Sequence, residues 1–93
     1  MNTLSKEEFE LQRNLFNYLV ALNYTQSEIL NRAKENLKIS KELNDEVFVK
    51  GWKREIKFVK NRLKFIDIQM GQFPIYIDST YSDYLKIVKP SNK

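Results

Sequence analysis

Apolar side chains recur every three or four residues along most of the chain, which is the spacing of one face of an α-helix. Ser5 followed by Glu8 forms a capping box, and Phe9, Leu11, Leu15, Phe16, Leu19 and Leu22 follow at helical spacing. This predicts a first helix over about 5–23. Thr25 and Glu28 repeat the capping-box pattern, with Ile29, Leu30, Ala33 and Leu37 behind them. They predict a second helix over about 25–43, antiparallel to the first because the connection is so short. Asn44-Asp45-Glu46 supplies a cap and an acidic first turn for a third helix over about 45–70, which Gly71 ends. Gly51 inside that span costs about 1 kcal/mol relative to Ala. An alternative therefore starts the helix near Gly51, with Val47-Phe48-Val49 as an extended approach.

The pattern changes after Gly71. Phe73-Pro74-Ile75-Tyr76-Ile77 alternates with period two and carries a proline, the signature of an edge strand or extended arm over 73–77. Asp78-Ser79-Thr80 reads as a turn into a brief fourth helix over about 80–88, closed by Pro90, with a fraying end at 91–93. The expected fold is a single all-α domain over 1–93. It would be a compact three-helix bundle with a short extended C-terminal arm and a brief fourth helix.

The third helix holds the most regular pattern. Val49, Trp52, Ile56, Val59, Leu63, Ile66 and Met70 are separated alternately by three and four residues, an unbroken heptad seam. Its mate is expected within the same chain, giving a monomer; a homodimer through these seven residues is the alternative. Lys50, Lys53, Lys57, Lys60 and Lys64 repeat the same spacing on another side of the helix, with Arg54 among them. Residues 50–64 hold seven basic side chains against the single acid Glu55, while 1–49 carry a net −2 and 65–93 are neutral. The excess of +4 thus sits on one helix. A surface built for solubility alone would intersperse acids to relieve the repulsion, so the stripe points to an anionic partner. Phe58 and Phe65 stand seven residues apart beside it. Their expected place is a contact with the C-terminal arm. The alternative makes them partner contacts together with Tyr76, Tyr81 and Tyr84, because aromatics interleaved with lysines can stack bases.

Composition narrows the chemistry. The 93 residues contain no cysteine and no histidine, so thiolate and imidazole ligands, a cysteine nucleophile and the usual general base are all missing. Two glycines cannot build a phosphate-cradling loop. Glu7, Glu8, Glu10, Asp45 and Glu46 are explained by helix starts. The chain is therefore expected to be non-enzymatic, without a metal, cofactor or small-molecule substrate. A start rich in acids and the lack of a long apolar run predict no signal peptide and no membrane span, hence a cytoplasmic protein.

A helix-turn-helix arrangement over 25–64 fits poorly. The turn lacks a glycine, and only Arg54 and Asn61 among base-reading residue types lie near the basic face. Lysine-rich faces position a protein on phosphates more readily than they read sequence. The expected function is a small binding or regulatory protein whose basic face engages an acidic protein surface or nucleic acid. Its size and its lysine-rich composition, twelve against four arginines, would suit an accessory modulator encoded by a phage or mobile element. Two alternatives are a nucleic-acid-binding regulator of transcription or replication, and an adaptor that assembles through the seam.

Overall fold

The computed structural model describes residues 3–88, except for the side chain of Ile75. Two long helices dominate it. α1 spans Lys6–Glu42, α2 spans Glu46–Gly71, a 3₁₀ turn covers Ile75–Asp78, and α3 spans Tyr81–Val88. The chain is all-α, but it is not compact. Its radius of gyration is 20.3 Å and its extents are 71 × 20 × 18 Å, against a radius of about 12 Å for a compact chain of this size.

The expected three helices are two because α1 runs without interruption through the position where a break was predicted. Ser5 does cap α1, its hydroxyl accepting from the Glu8 amide at 3.1 Å while Glu8 accepts from the Ser5 amide at 2.8 Å. The second capping box does not form. The Thr25 hydroxyl instead donates to the Ala21 carbonyl at 3.0 Å, a bond made from within a helix. No glycine or proline lies between Lys6 and Glu42, so nothing in the backbone forces a stop. A continuous line of buried and half-buried positions also crosses the junction: Phe9, Gln12, Phe16, Leu19, Asn23, Gln26, Leu30, Ala33, Leu37 and Ser40. That line has the same three-four spacing as the α2 seam, and α2 packs along it.

A tight turn joins the helices. Asn44 adopts φ 56°, the left-handed conformation that asparagine tolerates best among residues with a Cβ. The Asp45 amide bonds back to the Ser40 carbonyl at 3.0 Å and the Asn44 amide to Lys41 at 3.1 Å, which together make a Schellman motif. Asp45 then caps α2 by accepting from the Phe48 amide at 3.2 Å. One residue ends α1 and the next starts α2. The extended approach over 47–49 does not occur, and Gly51 lies exposed inside α2.

All seven seam residues of α2 are buried or half-buried, Val59 and Ile66 most completely. Where the α1 line turns polar, side chains bridge the helices. Asn23 donates to Asp67 at 3.1 Å and Arg62 to Gln26 at 3.4 Å, which fixes the antiparallel register.

The predicted extended arm over 73–77 is also corrected. Pro74 is extended, but residues 75–78 coil into the 3₁₀ turn, and no described strand lies beside them to accept a ladder. The turn folds back so that Phe73 meets Phe16 edge-on at 5.4 Å and Ile77 is buried. Thr80 caps α3 by accepting from the Asp83 amide at 3.1 Å. The predicted stop at Pro90 and fraying at 91–93 lie outside the described residues.

The best-packed region is the open end of the hairpin. Phe9 and Tyr84 are almost wholly buried there, with ring centroids 5.1 Å apart, and Tyr76 and Tyr81 pack on the same two rings. The Tyr84 hydroxyl accepts from the Leu4 amide at 2.6 Å and the Tyr81 hydroxyl donates to the Leu4 carbonyl at 2.9 Å. Arg13 donates to the Ser79 carbonyl at 2.6 Å. Burial, with the neighbouring Tyr84 adding to it, raises the Tyr76 phenol above its ordinary value.

Candidate anion-binding face

Each residue of an α-helix is turned about 100° from the last, so positions just before and just after the α2 seam fall on opposite flanks. The position before each seam residue gives Phe48, Gly51, Glu55, Phe58, Arg62, Phe65 and Gln69. Lys50, Lys53, Lys57, Lys60 and Lys64 follow Val49, Trp52, Ile56, Val59 and Leu63. The hairpin therefore has one aromatic flank and one lysine flank, separated by the buried seam.

All five lysines are exposed, and they span about 21 Å of helix at 1.5 Å per residue. Arg54 is exposed as well, on the outer side of α2. α1 widens the face in a way that the sequence reading did not include. Lys34, Lys38 and Lys41 follow Ala33, Leu37 and Ser40 of the α1 line, which places them on the flank that meets the α2 lysines. Lys41 shares a shallow hollow with Lys50 and Lys53 beside the turn, where Glu46 is the accompanying acid. Asp67 continues the row past Lys64 but is held by Asn23. Eight lysines thus lie on one side of the turn-proximal half. Among the described residues the ion pair within 4 Å is Glu28 with Arg32, at 3.9 Å, and neither belongs to this face.

No family model matches this chain, and no curated protein or solved structure is significantly similar to it. Ammonium groups on flexible stems along a helix act as point charges repeated at helical intervals, which suits a repeating anion better than a single small one.

The five aromatic candidates separate into two groups. Tyr76, Tyr81 and Tyr84 are taken up in the cluster around Phe9 at the open end. Phe65 shares a hollow with Phe73 and Pro74 at the start of the expected arm while Phe58 lines the neighbouring one, and the two remain 61% and 53% exposed on the flank opposite the lysines. They cannot interleave with the basic row. Among the described residues no group of three or more acids could hold a metal ion, and no helix is long and apolar enough to cross a membrane.

Proposed function

We propose that this protein is a non-enzymatic binding protein that engages the backbone of a nucleic acid with its lysine face. The observation that carries the proposal is the alignment of eight exposed lysines from two helices on one side of a rigid hairpin. Cations with no ion-pair partner among the described residues gain most from a partner of repeating negative charge, whose condensed counterions are released on contact. The face bears almost no residues suited to base edges, so binding would follow charge and not sequence. A regulatory role in the cytoplasm, modulating the partner's other contacts, goes with this reading.

The test is fluorescence anisotropy of labelled duplex and single-stranded oligonucleotides of unrelated sequence. Similar affinities across sequences, weakening steeply with salt, support the proposal. No binding at 50 mM salt overturns it. An acidic protein surface is the second reading, favoured by the position of the row near the hairpin tip, where a protruding end can enter a groove. In that case charge substitutions would mainly slow association.

A further inference from the structure

The flank opposite the lysines carries large exposed apolar side chains on either side of Arg62, and nothing in the described chain covers them. Leu11, Leu15 and Tyr18 of α1 and Phe58 and Phe65 of α2 are each 53–68% exposed. They belong to one surface. Leu15 and Phe65 line a hollow of about 500 Å³, and Leu22, Phe58 and Phe65 line an adjoining one of about 460 Å³. Phe65 is the wall between the two. Leu11 and Tyr18 lie one turn either side of Leu15 along the same edge of α1. Contiguous apolar surface of this extent on a soluble chain marks a site of association.

We propose that this surface is the interface of a two-fold symmetric homodimer, in which two hairpins overlap antiparallel by their open halves to form a four-helix bundle. Two observations single out a second copy as the occupant. The first is area. At these exposures the five side chains present roughly 600–700 Å² per copy, and the half-buried Leu19, Leu22 and Phe73 add to it. About 800 Å² per partner makes a standard interface. A two-fold pair buries the same patch on both copies, and with those three residues the patch comes close to that size.

The second observation is charge. Leu11, Leu15 and Tyr18 lie in the half of the hairpin remote from the turn and Phe58 and Phe65 near its middle, whereas the eight face lysines, between Lys34 and Lys64, run from beside the turn to that middle. An antiparallel overlap joins the two weakly charged halves and sends the lysine-rich tips to opposite ends. A parallel overlap would set the two tips side by side and oppose like charges. The lysine faces stay outward in either copy, so the dimer is compatible with the anion-binding proposal but does not depend on it.

Sedimentation equilibrium from 5 to 500 μM, with the double variant Phe58→Lys/Phe65→Lys in parallel, tests the inference. The expected result is a dimer of twice the 11.2 kDa chain, and a helical monomer for the variant. Both phenylalanines are more than half exposed, so the variant should keep its circular dichroism spectrum. A wild-type monomer throughout the range, or a dimer that survives the double substitution, overturns the proposal. The chain has no cysteine, so Glu42→Cys allows one spin label near each turn. Antiparallel overlap centred on the patch puts the two labels about 65 Å apart, from the 1.5 Å rise of each residue. A separation near 20 Å would mean a parallel pair and would refute the arrangement.

Discussion

Thr25→Ala separates a continuous α1 from a broken one by the sign of its effect. If Thr25 capped a second helix, as its spacing to Glu28 predicts, alanine would remove the cap and cost about 0.5–2 kcal/mol. In the structure Thr25 sits inside α1, exposed, with its hydroxyl turned back to the Ala21 carbonyl at 3.0 Å. Alanine is the better helix former by about 0.5 kcal/mol, because threonine loses rotamer freedom against the preceding turn. The lost hydroxyl bond offsets little of this, since the same carbonyl keeps its backbone partner and solvent reaches the site. The net expectation is a gain of a few tenths of a kcal/mol. Urea unfolding followed by circular dichroism at 222 nm reads it as a higher midpoint at unchanged slope. A variant destabilised by about 1 kcal/mol would refute the uninterrupted helix. Thr25→Pro sharpens the contrast, because a proline there removes an interior helix bond and clashes with the turn before it, at about 3 kcal/mol or more.

Ile66→Ala should cost about 2–5 kcal/mol, since Ile66 is one of the few nearly closed positions of the seam, and a Tm shift under a few degrees would place it outside a core. Tyr76 supplies a pH dependence. Its phenol is raised in the folded state, so the stability it contributes is complete below about pH 10 and is lost as pH rises from there through the raised value. Tyr76→Phe should therefore lose less stability than the wild type between pH 9 and 11 in thermal melts, and equal losses would refute the assignment.

The sequence made the helix starts near residues 5, 45 and 80 legible, because each rests on a local capping device, whereas α2 ends at Gly71 as expected but without a left-handed glycine. Ser5, Asp45 and Thr80 cap in the structure as their spacing to the following residues indicates. The α2 seam was legible for the same reason, as seven positions in a single element. What local signals could not decide was whether a capping pattern would be used. Thr25-x-x-Glu28 offers a cap only if the chain breaks there, and that depends on α2 packing across the junction. The clue was the polar pair Asn23 and Gln26, which keep the α1 line in register but do not look like core until Asp67 and Arg62 are opposite them. The arm was misread because alternation over five residues mimics a strand, while the backbone followed the fold of the open end. Lys34, Lys38 and Lys41 were passed over because they join the basic row only once α1 and α2 lie side by side.

The lysine face is the centre of this account, and its most direct test is the salt dependence of nucleic-acid binding by Lys53→Gln/Lys57→Gln/Lys60→Gln. Lysine and glutamine have similar helix propensity, so the fold should persist. Each phosphate neutralised on duplex DNA contributes about −0.9 to the slope of log K against log salt, and about four contacts would cost the wild type roughly 100-fold between 50 and 200 mM. The triple variant is expected to lose about three contacts' worth of slope and to bind far more weakly at low salt. An unchanged affinity and slope would contradict it.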